Sequence, residues 1–351
     1  MSARTLVPVA WLTGAISEVF TAVGLSPRAA QAVATSLVDA DMRGTPSHGS
    51  LLVPMYVERI RKGSVSLREE AEVVHDTGAV AVLDAHHALG QLTGDQAMAL
   101  AVDKAHSYGI GAVTVRRAFH FGGAFRYVRS AAAAGCIGIA AANTRPLMPA
   151  PGGAAPVVGN NPLAVGVPAA SGEPVLLDMA LSEAALGKIR LAEQEGHPIP
   201  PTWATDRDGK PTTNPTEALA GMLLPAAGHK GYGLALVVDI LTGVLSGGSS
   251  GSGVRGLYAD TSVPNDCAHF FLALDIGAFG DPAGFTGRLS ALTTEVTGSP
   301  TAPGVERLLL PGQLEAERYG SVAEGIALGA EVLAALQETA ASVGVALGDP
   351  A

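Results

Sequence analysis

The sequence predicts an α/β fold with helical arms at both chain ends. Three observations carry that expectation. Short apolar or β-branched runs alternate with helical periods through the middle of the chain. The two ends carry helical spacing instead. Of 351 residues, 48% are hydrophobic and only 15% charged, enough apolar surface for a large core and a subunit interface.

The elements follow in order. Residues 10–42 read as helix, with Ser26 as an N-cap and Pro27 at the first position of a second helix. A loop at 43–50 holds "TPSHGS", and Leu51–Arg61 resumes a helical period that ends at Gly63. The stretch "AEVVHDTGAVAVLDA" reads as a strand pair around Asp76-Thr77-Gly78. Residues 93–108 form a helix, 111–116 a strand, 123–134 an alanine-rich helix and 137–142 a buried strand. Strands at 163–167 and 175–177 precede a helix at 182–194. A nearly all-apolar helix at 230–245 is expected to be buried. A strand at 268–275 and a last long helix over about 317–343 complete the chain. The expected organisation is a helical N-terminal arm with a loop at 1–70, an α/β core at 71–290, and a C-terminal helical segment at 291–351 that packs with the arm.

Composition excludes several functions. The net charge is −10 and no Lys/Arg cluster stands out, so nucleic acid and anionic membrane are poor partners. The start "MSARTLVPVAWLTGAISEVF" is broken by Pro8 and carries Glu18, unlike a signal peptide. The apolar runs Ala131–Ala142 and Leu234–Leu245 are too short to span a bilayer. The two cysteines, Cys136 and Cys267, fit a reducing cytoplasm, and no ligand spacing points to a metal.

The loop "SGGSSGSGVRG" contains a literal GxGxxG at Gly251, Gly253 and Gly256. That fingerprint works only between a strand and a helix N-terminus, where amides face a pyrophosphate. These glycines follow a helix and open none, so the match is rejected.

Chemistry-bearing residues punctuate the glycine-rich junctions: His48, His120 in "RRAFHFGGAF", Asp178 in "VLLDMALSEAALGK", and His229-Lys230 in "PAAGHKGYGLAL". Histidine shuttles protons near neutral pH. Strand-to-helix junctions are where α/β proteins place ligands. Taken singly, each has a plainer reading: a solvated loop histidine, an N-cap aspartate, a polar helix start. The histidines at 75, 86, 87, 106, 197 and 269 lack such context and read as surface or core.

Taken together, "DMRGTPSHG", "YVERIRKG", "HFGGAFRY", "ANTRPLMPAPGG", "GNNPLAVGVP", "LLDMALS", "GHKGYGLALVVDILTGVLSGG" and "LPGQLEAER" resemble the type-2 malate/L-lactate dehydrogenase family. The family includes ureidoglycolate, sulfolactate and hydroxycarboxylate dehydrogenases, diketogulonate reductase and piperideine-2-carboxylate reductase. The match runs in family order over nearly the whole chain.

The resemblance implies a non-Rossmann nicotinamide-binding sheet domain, flanked by an α-helical domain built from both chain ends. It also implies NAD or NADP as cofactor, a small-molecule substrate and a homodimer. By the same resemblance, His120 is the catalytic acid/base. Ser47 and His48 are further catalytic residues beside the nicotinamide and the reacting carbonyl, and Tyr56 points into the substrate pocket. Gly122, Gly123, Asp178, Met179, Ala180, Leu181, Ser182, His229, Lys230, Asn265, Pro311, Gly312 and Gln313 contact the dinucleotide.

Three positions depart from the family pattern. Leu52 stands where many members carry an arginine that clamps a substrate carboxylate. Phe119 replaces an asparagine and Leu181 a threonine. An apolar wall at Leu52 favours a bulkier or more hydrophobic substrate side chain. Arg43, Arg145 or Arg255 would then hold the carboxylate, with Arg145, beside Thr144, the most suggestive. Arg190 and Arg207 are candidates for a 2′-phosphate contact. Two alternatives accompany the 2-hydroxy acid reading: a reductase of cyclic 2-imino acids, and a non-catalytic dinucleotide-binding dimer.

Overall fold

The computed structural model describes residues 4–170, 172–322 and 325–350. Strand β1 (Arg4–Val7) leads into α1 (Val9–Ala22) and α2 (Pro27–Met42). The second helix starts where the sequence places it: the Ser26 hydroxyl accepts from the Ala29 amide, and Pro27 follows. Two 3₁₀ turns, Pro46–His48 and Ser50–Leu52, shape the expected loop and lead into α3 (Val53–Arg61).

The middle of the chain supplies β2 (Glu72–Thr77), β3 (Val80–Asp84), α4 (Gly90–Tyr108), β4 (Ile110–Ala118), α5 (Phe125–Ala133) and β5 (Cys136–Ala142). Next come β6 (Met148–Pro149), β7 (Pro156–Val158), β8 (Leu163–Val167), β9 (Val175–Met179), α6 (Leu186–Glu195), α7 (Pro215–Ala220) and α8 (His229–Asp239). The last elements are β10 (Cys267–Asp275), α9 (Ile276–Phe279), α10 (Pro282–Thr297), α11 (Gln313–Ser321), β11 (Ile326–Gly329) and α12 (Ala330–Ser342).

Seven strands form one mixed sheet in the order β2-β3-β4-β10-β5-β8-β9. Only β3 and β4 run parallel; β10 enters the centre antiparallel to both β4 and β5. Helices α4 and α5 pack together and onto this sheet, and their interface with it forms the largest apolar cluster. A second cluster joins α1, α2, α3 and α12 with Leu89 and Phe119. Strand β1 pairs with β11, so the two chain ends are stitched into the same layer. A third cluster gathers Met148, Ile189, Ile199, Leu223 and Val238. Among the described residues no helix is long and apolar enough to cross a membrane.

The structure corrects three elements. The single helix over 317–343 is two, because β11 interrupts it to pair with β1. The helix expected at 182–194 begins only at Leu186. Ser182 bridges to Pro225 and the Glu183 amide bonds the Leu224 carbonyl, which keeps this stretch extended. Most consequentially, the apolar helix at 230–245 is buried on one face only, through Gly231, Ala235, Val238, Thr242 and Gly243. Leu234, Leu236, Val237, Ile240, Val244 and Leu245 are exposed, along α8 and the π-helical turn Ile240–Val244 that extends it.

Candidate active site

The Asp41 carboxylate shapes the first wall of the site. At the end of α2 it accepts the Ser50 amide at 2.8 Å and so fixes the turns carrying Ser47 and His48. A Cβ on residue 49 would lie 2.0 Å from Asp41 Oδ1, so only glycine fits between the histidine and its anchor. Burial pushes the Asp41 carboxyl up to about 6, against the hydrogen bond from the Ser50 amide. The Ser47 hydroxyl lies 3.0 Å from His48 Nδ1.

The second wall is the segment between β4 and α5. His120 stacks on His48 with ring centroids 5.4 Å apart. Its Nδ1 lies 2.6 Å from the Tyr56 hydroxyl, which in turn accepts from Gln91 Nε2 at 2.9 Å. The start of α4 passes close behind: a Cβ on Gly90 would sit 2.1 Å from the Phe119 carbonyl. Burial, then the neighbouring His48, then His269 hold the His120 imidazole well below the usual histidine range. Burial also lowers His48, and raises Tyr56 far above an ordinary phenol.

A cavity of about 860 Å³ opens onto these groups, toward the upper end of the about 300–1,000 Å³ typical of ligand pockets. Its lining brings together Ser47, His48, Leu52, His120, Gly122, Gly123, Thr144, Arg145, Asp178, Met179, Ala180, Asn265, Pro311 and Gly312. Four arginines face it: Arg43, Arg145, Arg190 and Arg255. Arg207 does not.

Several residues sit differently from expectation. Tyr56 is fully buried and does not line the cavity; it stands behind His120. Leu181 is buried in the third apolar cluster, and the Ser182 hydroxyl is spent on the Ala184 carbonyl. Gln313 bonds the Leu310 amide at the start of α11. His229 and Lys230 lie exposed at the start of α8, outside the cavity. Asp178 does not cap the helix that follows it. It lies in β9 and accepts the Phe125 amide at 2.8 Å, capping α5 across the sheet edge. The enclosing walls desolvate its carboxyl and push it up to about 6, although the side chain stays open to the cavity.

The sequence reading missed several participants. His269 on β10 lines the cavity, stacks on Phe121 at 4.5 Å, and is pushed down to about 3 by burial. Only the strand period of "CAHFFLALD" hinted that it faces inward. Gln91 carries no motif at all. Arg59, one turn after Tyr56, is fully buried and donates to the carbonyls of Gly256, Leu257 and Val263. It thus clamps the loop that bears Arg255 and Tyr258, whose base is closed by the Asn265 side chain bonding the Arg255 carbonyl. Phe119 packs edge-on against Tyr56 at 5.1 Å. The GxGxxG glycines form a short 3₁₀ turn rather than a phosphate loop. One cluster of metal-ligating types exists among the described residues, His106, Cys136 and Asp275; it lies outside the cavity, with His106 Nε2 3.1 Å from the Ala134 carbonyl.

The family model described as malate/L-lactate dehydrogenase matches residues 7–337. This chain belongs to that family. The malate dehydrogenase of Pyrococcus abyssi is 38% identical over 341 residues, 94% of this chain and 92% of that protein. The solved sulfolactate dehydrogenase of Methanocaldococcus jannaschii superposes with a TM-score of 0.93 at 33% identity, covering 98% of both chains. The Δ1-piperideine-2-carboxylate reductase of Pseudomonas syringae pvar. tomato superposes with a TM-score of 0.86 at 29% identity, covering 95% of this chain and 99% of that one.

Proposed function

We propose that this chain interconverts a 2-hydroxy acid and its 2-oxo acid, with His120 moving the proton. The chain is an NAD(P)-dependent oxidoreductase. The observation that carries the finer reading is the His120 imidazole, kept neutral on a cavity wall with Nδ1 committed to Tyr56.

The residues present fit a dinucleotide. The cavity of about 860 Å³ is lined by Gly122, Gly123, Asp178, Pro311 and Gly312, among others, and a buried guanidinium, that of Arg43, lacks a hydrogen-bond partner there. When bound, the nicotinamide supplies the carbon that accepts or gives the hydride. Everything else falls to the chain. When His120 Nδ1–H donates to the Tyr56 oxygen, Nε2 keeps a lone pair and takes the hydroxyl proton of the substrate. In reduction the same nitrogen returns it. A hydroxyl both donates and accepts, so Tyr56 suits either protonation state of the ring. His48 packs on the imidazole and fixes its plane. Arg145 holds the substrate carboxylate, and Leu52 meets its side chain, which favours a bulky or apolar acid. Residues 71–290 form the cofactor- and substrate-binding core, with 1–70 and 291–351 as the flanking layer.

The exposed apolar face of α8 supports a homodimer, since a contiguous patch of this kind marks an interface. A Leu245→Asp variant is expected to elute as monomer. The structural likeness to a piperideine-2-carboxylate reductase favours a second reading, in which His120 protonates an imine nitrogen. A panel of 2-oxo acids with NADH or NADPH, each with and without an amine donor, tests both. Oxidation of the nucleotide by oxo acids alone supports the first; amine-dependent oxidation supports the second.

A further inference from the structure

Arg43 is the least satisfied charged group in the described structure. Its side chain is only 3% exposed, yet it lines the cavity. Nε and Nη2 are fully enclosed and have no hydrogen-bond partner. No ion pair within the described residues includes it. Its guanidinium lies instead between two rings, 5.0 Å from Phe125 and 4.8 Å from Tyr319. Asp39 and Glu173 act on it only from a distance, while Arg129 repels it.

Burying an unpaired charge is costly, and a partner or ligand normally relieves it. Three features say which ligand. The planar fork matches two oxygens of a phosphoryl group. The aromatic sandwich leaves the guanidinium edge, not its faces, for that contact. The cavity that Arg43 lines is also lined by the backbone-rich Gly122, Gly123, Pro311 and Gly312.

We propose that Arg43 is the phosphate anchor of the cofactor site, waiting unpaired until a phosphoryl oxygen of the dinucleotide arrives. The inference rests on the dinucleotide reading given above. The phosphoryl group is either the bridging pyrophosphate, common to NAD and NADP, or the 2′-phosphate of NADP. Arg43 therefore does not hold the substrate carboxylate.

The test compares wild type with Arg43→Met and Arg43→Lys. NADH and NADPH are titrated by nucleotide fluorescence, and the melting temperature of the ligand-free protein is recorded. Losing a charge-assisted phosphate contact weakens binding about ten- to a hundredfold. Equal weakening for both nucleotides in Arg43→Met assigns the pyrophosphate; weakening confined to NADPH assigns the 2′-phosphate. Arg43→Lys, which keeps the charge without the fork, falls between. The ligand-free Met variant melts no lower than wild type, because an unpaired buried charge has been removed. Wild-type affinity for both nucleotides in the two variants overturns the proposal. So does a lower ligand-free melting temperature with affinity unchanged, which marks a purely structural arginine. A wild-type protein that binds neither nucleotide overturns the cofactor reading itself.

Discussion

The Tyr56 hydroxyl sits 2.6 Å from Nδ1 of His120, behind the ring and away from the cavity. A buried imidazole is hard to charge, and burial with two histidine neighbours pushes His120 toward its neutral form. Among the described residues, the hydroxyl is the polar partner that orients the ring. Replacing Tyr56 by Phe is expected to lower kcat about ten- to a hundredfold, within the range general acid–base catalysis supplies. KM and nucleotide affinity should hardly move, because the side chain does not line the cavity. Steady-state kinetics with a matched nucleotide titration check this; a KM effect with kcat unchanged would refute the positioning role.

The depressed His120 also fixes a pH expectation. A base whose pKa lies well below 6.5 stays deprotonated through neutrality. For oxidation, kcat/KM should hold its plateau below pH 6.5 and fall only in more acid solution. A midpoint near or above 6.5 in the free enzyme would contradict the geometry.

Asp41 gives a stability prediction. Its folded-state pKa is raised to about 6 from 3.8, so the folded protein binds this proton more tightly than the unfolded chain does. The stabilising contribution is complete below about pH 4 and is lost as pH rises through 6. Asp41→Asn keeps an acceptor for the Ser50 amide without the charge. Relative to wild type it should gain about 2 kcal/mol between pH 4 and pH 7, a shift of roughly two pKa units discounted for partial exposure. A pH-independent difference in melting temperature would count against the assignment.

Leu52 tests substrate choice. It is buried at the cavity wall, within the apolar cluster that holds Tyr56 and Phe119. Leu52→Arg should raise kcat/KM for a small dicarboxylic hydroxy acid, relative to an apolar one, by about tenfold or more, the value of one bidentate contact. An unchanged ratio across the two acids would remove Leu52 from the selection.

Much of this site was legible in the sequence, and the rest was hidden for physical reasons. Local signals worked where they are local: Ser26-Pro27 set a helix start, and the glycine-rich junctions that hold His48 and His120 do line the cavity. The GxGxxG match failed for the stated reason, lacking a strand before it and a helix after. Long-range pairing was invisible. Nothing near residue 325 announces β11, because its partner is β1, more than 300 residues away. Asp178 looked like a cap for its own successor and caps α5 instead. Gln91 carries no motif, and Arg59 lies in "YVERIRKG" with no sign there of its role, since their partners are a hydroxyl and three carbonyls on other elements. The α8 helix read as wholly buried because apolarity on all sides does not say which face the core covers.

The most direct test of the account is His120→Gln, assayed two ways. The account predicts that nucleotide affinity by fluorescence titration stays near wild type, while turnover of the best 2-hydroxy or 2-oxo acid falls at least about a hundredfold, the loss expected for a removed acid–base group. Turnover unchanged in a folded, nucleotide-binding variant would contradict the assignment of His120 as the residue that moves the proton.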